Sequence, residues 1–260
     1  MKIKKIKILK NKVTVYIDDE KLELDKEIYP NFYLYEGKEL SKKEYKQIKE
    51  ENETAQLLKY ALKIRAKSIY SEYQLREKLY AKEATKSEVD RVIASMKKYD
   101  LVDDNAFVED YVEYYNSLNY GKNKILNKLS DKGIFEDKLS KIKFSIVNER
   151  KKAKNVFNRT LKKYEKYNFS QKKQHLYNAY ISMGFDSEIA KEMVELIPSE
   201  KNNKQELEKL EKDYSKVYAR LSRKYQKKEL KQKILQSLLQ KGYRMNDILS
   251  VLERKKYEIN

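Results

Sequence analysis

Two adjacent carboxylates, Asp103 and Asp104, have the spacing that best suits acid–base or metal chemistry. General acid–base catalysis needs two carboxylates that converge on one substrate in a shielded pocket. Here the pair directly precedes a helical pattern that runs through Phe107. Carboxylates in that place accept hydrogen bonds from free backbone N–H groups and oppose the positive end of the helix dipole. We therefore expect Asp103 or Asp104 to cap a helix.

Other chemistry-bearing residues are scarce. The chain has no cysteine and a single histidine, His175, whereas a catalytic triad or a zinc or iron site needs several such residues. The tripeptide Gly121-Lys122-Asn123 lacks the earlier glycine and the following serine or threonine of a phosphate-binding P-loop, so Gly121 is expected to begin a helix. We predict no catalytic residue, no metal site and no cofactor, and hence no enzyme.

Regularly spaced cations are the remaining candidates for function. Lys124, Lys128 and Lys132 stand four residues apart, on the helical face opposite Ile125 and Leu129. Corresponding positions of three helical repeats carry Lys82, Lys132 and Lys241, and a denser cluster consists of Arg220, Arg223, Lys224, Lys227, Lys228 and Lys231. A repeated cation can follow phosphates or an acidic groove, but the helix dipole also favours cations near a helix C-terminus. Both interpretations stay open for the repeated lysines, whereas for the cluster we favour contact with a partner.

Net charge is distributed unevenly. The chain carries +18, and residues 121–260 hold 35 of the 59 Lys and Arg but only 18 of the 41 Asp and Glu. Such an excess is typical of a surface that meets a polyanion, so DNA is a predicted partner, bound weakly and without sequence preference. Only 9 of the basic residues are Arg, and Lys, Asn, Ile and Tyr are abundant, so an AT-rich genome is an alternative source of the bias.

Hydrophobic periodicity predicts a mainly α protein with a small N-terminal β-sheet. Apolar residues alternate in residues 3–9 and 13–17, and Leu22 and Leu24 suggest a third strand. From Ser41, which with Glu44 forms a capping-box pattern, the period becomes helical. Ser71 and Ser87 are predicted to cap the next two helices.

An internal repeat organises the helical part. The apolar pairs Leu75/Leu79, Ile125/Leu129, Leu176/Tyr180 and Ile234/Leu238 are each followed, four residues later, by Glu83, Gly133, Gly184 or Gly242. A third helix is expected to follow around Val92, Ile142, Val194 and Leu252. The pattern predicts tandem three-helix repeats that stack into an elongated curved rod. The expected boundaries are 1–40 for the β-rich extension and 41–101, 102–149, 150–200 and 201–260 for four repeats.

Short motifs follow one another in a distinctive order between Ile69 and Ile134. They are Ser71-Glu72-Tyr73-Gln74-Leu75, Leu101 through Phe107, Gly121 through Leu129 and Lys132-Gly133-Ile134. In this order they resemble the RecX family. The resemblance implies a regulatory protein that binds RecA, lies in the groove of the RecA–DNA filament, and restrains ATP hydrolysis and strand exchange. The family is also known for tandem three-helix repeats.

Two other functions remain open: a nucleic-acid-binding helical protein without a recombinase partner, and a scaffold that binds another protein. No apolar run approaches the roughly 20 residues of a membrane span. The N-terminus also lacks the continuous apolar segment of a signal peptide. We therefore expect a cytoplasmic monomer.

Overall fold

The structure, a computed structural model, describes residues 1–198 and 203–255. By the contacts between its Cα atoms, the chain forms two compact units. The first unit comprises Met1–Tyr111 and Leu129–Ser140, and the second comprises Val112–Lys128 and Lys141–Asn260.

The first unit begins with a three-stranded antiparallel sheet in the order β1-β2-β3. The strands are β1 Ile3–Ile8, β2 Lys12–Ile17 and β3 Glu20–Asp25, which confirms the predicted sheet. The apolar side chains of Val13, Val15 and Ile17 are fully buried, as their alternation predicts. Ile8, the last residue of β1, is in contrast 63% exposed, although it pairs with Val13.

Twelve α-helices follow within the described residues, which confirms the mainly α prediction. They are α1 Lys42–Arg65, α2 Glu72–Tyr80, α3 Lys86–Lys98, α4 Asp104–Ser117, α5 Lys122–Ser130, α6 Glu136–Leu139, α7 Ile146–Lys162, α8 Phe169–Ser182, α9 Ser187–Glu195, α10 Asn203–Leu221, α11 Lys227–Gln240 and α12 Met245–Arg254. Taken three at a time they form four groups, and we call α2, α5, α8 and α11 the middle helices. Separate apolar cores lie under α1–α3, α7–α9 and α10–α12.

Helix starts follow the sequence closely, with one exception. Ser41 caps α1 in a capping box with Glu44, and Ser71 caps α2 in the same way with Gln74. The prediction that Ser87 caps α3 is wrong. Thr85 is the cap, because its hydroxyl accepts from the N–H of Glu88 while the Glu88 carboxylate accepts from the N–H of Thr85. The third helix of the second group also differs from expectation, since α6 ends at Leu139, before Ile142.

The N-terminus of each of the first three middle helices contacts the C-terminal end of the next middle helix, and we call each contact a joint. The bonds are Ser71 Oγ to Lys132 O (2.5 Å) in the first unit, and Gly121 N to Met183 O (2.9 Å) and Asn168 Nδ2 to Lys241 O (2.9 Å) in the second. Because the negative end of one helix dipole meets the positive end of another, the two helix ends stabilise each other.

A carboxylate from the first helix of the following group completes each joint. Asp104 accepts from the N–H of Glu72 (2.8 Å), Glu149 from that of Lys122 (3.0 Å) and Glu206 from that of Phe169 (2.8 Å). Each of these N–H groups belongs to the first residue of a middle helix, where no intrahelical partner exists. The same three components therefore recur at every joint: two helix ends and one carboxylate.

Glycine is required where the helices meet most closely. Gly133 has a φ of +77°, and a Cβ added there would lie 2.1 Å from Cγ of Tyr73. Gly184 has a φ of +89°, and its Cβ would lie 2.3 Å from the backbone nitrogen of Lys124. Glu83 ends α2 with a φ of 60° but is exposed. The close contacts at the joints thus explain why positions 133 and 184, after the ends of α5 and α8, are glycines. At position 83, which is exposed, a residue with a side chain is tolerated.

The repeat boundaries 41–101, 102–149, 150–200 and 201–260 stay a prediction, because the two-unit division is coarser than the repeats. The boundary between residues 200 and 201 lies outside the described residues.

Candidate nucleic-acid interface

The basic cluster lies around the turn that connects α10 to α11. Its six residues, Arg220, Arg223, Lys224, Lys227, Lys228 and Lys231, are all exposed. Arg220 donates a hydrogen bond to Ser237 Oγ (3.3 Å). The other five side chains make no ion pair with any carboxylate in the described part of the chain. Unpaired exposed cations retain their full charge for a partner.

Most carboxylates of α10 are engaged away from this turn. Asp213 pairs with Lys241 (3.0 Å) and accepts from the Tyr243 hydroxyl (3.0 Å), and Glu211 pairs with Arg254 (2.9 Å). The acidic residue within the cluster's own sequence is Glu229, which is exposed. The pairing of α10 with α11 and α12 thus leaves an excess of positive charge at the turn.

The lysines of α5 are more restrained. Lys124 and Lys128 are partly buried, and the ammonium of Lys128 lies 5.5 Å from the centre of the Tyr115 ring in a cation–π contact. Lys132 belongs to the first unit, and its carbonyl takes part in a joint. Ile125 and Leu129 are fully buried, so the core face of the helix is as predicted.

The repeated cations have different environments. Lys82 is exposed, with its ammonium 5.1 Å from the centre of the Tyr60 ring. Lys241 is neutralised by Asp213, so it is the least available of the predicted contact residues. Lys82 and Lys241 occupy equivalent positions in the sequence repeats, but the ion pair of Lys241 makes it less available to a partner than Lys82.

The two carboxylates singled out by their spacing both act as helix caps. Asp103 accepts from the N–H of Asn105 (2.7 Å) at the start of its own helix, α4. Asp104 belongs to the first joint and also pairs with Lys138 (2.9 Å). The ring of His175 stacks on that of Tyr164, with centroids 5.3 Å apart, and is tilted against that of Tyr167, with centroids 4.3 Å apart. Its surroundings are aromatic packing.

Charge pairs at the joints hold carboxylates in their ionised form. Burial raises the pKa of Asp186, but the ammonium of Lys122 (2.7 Å) and the amide of Asn123 (2.9 Å) outweigh it, so the pKa lies below its ordinary value. Burial likewise raises the pKa of Glu72, and Lys97 and Arg76 outweigh it in the same way. These carboxylates are engaged by cations other than those of the basic cluster.

The sequence did not reveal a polar pocket of about 340 Å³ in the second unit. Its lining includes Asn148, Lys151 and Asn155 of α7, and the helical spacing of these polar residues is a signal from which half of the pocket was predictable. The other half comes from Asn116 and Asn119, at and after the end of α4. No periodicity in the sequence indicates that the end of α4 and helix α7 line the same pocket.

Among the described residues, no three His, Cys, Asp or Glu side chains are grouped so that they could bind a metal ion. No described helix combines the length and apolar character needed to cross a bilayer.

Comparisons with known proteins extend along nearly the whole chain. A "Regulatory protein RecX" of Listeria monocytogenes is 26% identical over 248 residues, which cover 94% of this chain and 91% of that protein. One of Clostridioides difficile is 29% identical over 198 residues, covering 74% of this chain and 92% of that protein. A crystal structure of regulatory protein RecX shares the fold with a TM-score of 0.61 at 20% identity, over 75% of this chain and 98% of the other. No protein-family model matches the sequence.

The fold and its exposed cations define the class: a mainly α-helical protein, with a small N-terminal sheet, that presents a basic surface. Along most of its length the chain is similar to regulatory RecX proteins.

Proposed function

We propose that this protein regulates a RecA-type recombinase by binding the recombinase filament on DNA, and that it slows ATP hydrolysis and strand exchange. It acts as a cytoplasmic monomer, by binding rather than catalysis, and without a cofactor. The observation that supports this most directly is the similarity to regulatory RecX proteins over 91% and 92% of their lengths.

The charges of the two units suggest how contacts are divided. The first unit has 26 basic and 25 acidic residues, whereas the second has 33 and 16. A nearly neutral surface suits contact with protein, and a strongly basic one suits phosphates. In this proposal the second unit meets DNA or acidic filament walls through the basic cluster, and Lys82, Lys124, Lys128 and Lys132 are secondary contacts.

Binding along a filament gains strength from repetition. Neighbouring protomers present identical surfaces, so a ligand that contacts two of them gains avidity over a free protomer. A ligand held in this way blocks strand entry or the movement between protomers that accompanies turnover.

The test is ATP hydrolysis by the host's own recombinase on single-stranded DNA, titrated with this protein. We expect turnover to fall as the protein is added, and the protein to be retained on preformed filaments more tightly than on naked DNA. Unchanged turnover without retention would contradict the proposal.

A matched pair of variants tests the basic cluster. Replacing Lys224, Lys227, Lys228 and Lys231 by Glu should weaken retention about tenfold or more, because four phosphate contacts are lost. The same replacement at four exposed lysines of the first unit, Lys42, Lys43, Lys49 and Lys67, changes the net charge equally and should have little effect. Equal losses from both variants would mean that only the total charge matters.

A second function is favoured by the charge of the second unit alone: general nucleic-acid binding without a recombinase. It predicts equal affinity for naked DNA and for filaments.

A further inference from the structure

The polar pocket of the second unit has a composition suited to a specific ligand. Four asparagines and two lysines contribute to its wall: Asn116, Asn119, Asn148, Asn155, Lys151 and Lys152. No carboxylate belongs to the lining. Its volume of about 340 Å³ falls at the lower end of the range of about 300–1,000 Å³ for small-molecule sites.

The inner wall is fixed by a buried lysine. Lys152 is 7% exposed, and its ammonium pairs with Glu149 (2.5 Å) and donates to Asn116 Oδ1 (2.7 Å) and to the carbonyl of Tyr120 (2.7 Å). These three bonds use all three N–H groups of the ammonium. Because Glu149 also completes a joint, the wall is tied to the packing of the middle helices.

These bonds determine which amide atoms remain for a ligand. An ammonium only donates, so Asn116 accepts through its oxygen and keeps its Nδ2 donors. Asn119 donates to the carbonyl of Ser117 (3.4 Å), so its oxygen accepts from Asn155 Nδ2 (2.9 Å). Asn155 then keeps its oxygen as an acceptor. The pocket therefore offers a donor, Asn116 Nδ2, and an acceptor, Asn155 Oδ1, from held side chains.

The rim is positively charged and adaptable. Asn148 and Lys151 are exposed, and their side chains have no hydrogen-bond or ion-pair partner in the described part of the chain. An ammonium beside a pocket of amides suits a ligand with one anionic group and one polar, planar group.

We propose that this pocket binds an unpaired nucleobase of a single-stranded nucleic acid, with Asn116 and Asn155 on the base edge and Lys151 on the adjacent phosphate. Together, the Asn116 donor and the Asn155 acceptor match the donor–acceptor edge of a base, and base edges are open to such contacts in single strands. The proposal rests on the proposed function, in that the second unit meets nucleic acid. A carboxamide side chain of a protein partner has similar polarity, but the 33 basic against 16 acidic residues of this unit favour a polyanion.

The experiment compares two single strands of about 15 nucleotides, one normal and one with several bases removed, by fluorescence anisotropy with the full-length protein. We expect the normal strand to bind about tenfold more tightly, which is within the discrimination of a two-point amide–base contact. Asn155→Ala should reduce this ratio to about one. Asn158→Ala, at an exposed asparagine of the same helix, should keep it.

A charge variant separates the base from the phosphate. Lys151→Gln should weaken the binding of both strands by a similar factor and leave their ratio unchanged, because the phosphates are present in both. Circular dichroism and the thermal midpoint establish that each variant folds.

Three results would overturn the inference. The first is equal affinity of the wild-type protein for both strands, and the second is an Asn155→Ala affinity ratio equal to that of the wild type. The third is an Asn155→Ala variant that is retained less on recombinase filaments but binds both free strands as the wild type does, which would indicate that the ligand is a carboxamide of the recombinase. Recombinase ATPase, measured in parallel, reports separately on the proposed function, since a protein that never slows turnover can still prefer the strand that carries its bases.

Discussion

Single carboxylates determine where several helices of this protein begin. Asp103 starts its own helix, while its neighbour Asp104 reaches the first N–H group of α2 at 2.8 Å. The sequence predicted capping from the residue type and the helical pattern that follows. It did not predict that Asp104 caps a helix 32 positions earlier, because that contact depends on how two groups pack.

The buried pair of Glu149 and Lys152 predicts a large effect of a small change. Glu149→Gln removes the counter-ion of Lys152, which is 7% exposed, and we expect the free energy of unfolding to fall by about 3–5 kcal/mol. Glu192→Gln breaks an exposed pair with Arg150 and should lower the free energy of unfolding far less, because solvent screens that pair. Urea denaturation of both variants measures the difference, and equal losses would show that burial of the pair has no energetic consequence.

Replacing Gly133 by alanine should cause a steric overlap in addition to backbone strain, and the two effects can be measured separately. Gly133 and Gly37 both have positive φ, but a Cβ at Gly37 meets nothing within 4 Å, whereas at Gly133 it overlaps Tyr73. We expect Gly37→Ala to lower the free energy of unfolding by about 1 kcal/mol and Gly133→Ala by about 1–3 kcal/mol more. Denaturation midpoints compare the two variants. Similar midpoints would mean that the first joint opens without loss.

At the scale of elements, helix periodicity was the strongest signal. Ser41 was predicted to be a cap because Glu44 stands at the third helical position, and Ser71 was predicted to cap the next helix, where the structure adds Gln74 as the partner in its capping box. The prediction that Ser87 caps α3 was wrong because Thr85, two residues earlier, forms the capping box with Glu88. The repeated lysines were predictable as positions, but Lys241 is neutralised by Asp213 from another helix, and sequence spacing contains no record of that pairing.

The α10–α11 turn predicts a measurable salt dependence. If its six cations each neutralise about one phosphate, the log of the binding constant on double-stranded DNA should fall against the log of salt concentration with a slope of about −5. Reversing Lys224, Lys227, Lys228 and Lys231 to Glu should bring the slope to about −2. A slope unchanged by the reversal would place DNA contact on another surface.

At the scale of the whole molecule, the two units have different electrostatic character. Basic and acidic residues nearly balance in the first unit, while the second has about twice as many basic as acidic residues. The asymmetry was predictable from the sequence, because residues 121–260 hold 35 of the 59 basic but only 18 of the 41 acidic residues. Helix α5 was not predicted to be divided between the units, because such a division is a property of contacts and not of composition.

Both units contain carboxylates whose pKa is lowered in the folded state, which predicts acid sensitivity. Glu72 and Asp186 have ordinary values of 4.5 and 3.8. Their lowered pKa values stabilise the fold above those values, and this stability is lost as the pH falls toward the folded pKa. We expect the free energy of unfolding to be level between about pH 7 and 5 and to decrease below about pH 4.5.

Replacing Glu72 measures how much of this decrease in the free energy of unfolding comes from that carboxylate. Glu72→Gln should be less stable at neutral pH and should lose less on acidification, as measured by urea denaturation at a series of pH values. Glu195→Gln, at an exposed residue of α9, should follow the wild type. An acid transition of the wild-type shape in Glu72→Gln would exclude that residue as a contributor.

The joints also bear on how such a chain changes its length over evolution. Their N-terminal donors are a serine hydroxyl, a glycine main-chain N–H and an asparagine amide, at Ser71, Gly121 and Asn168, so the coupling depends on helix ends more than on one side chain. A duplicated gene segment that encodes one whole group would bring both a donor and a receiving end, and could be inserted in frame without new contacts having to arise. The gain of one whole group would thus require a single genetic event.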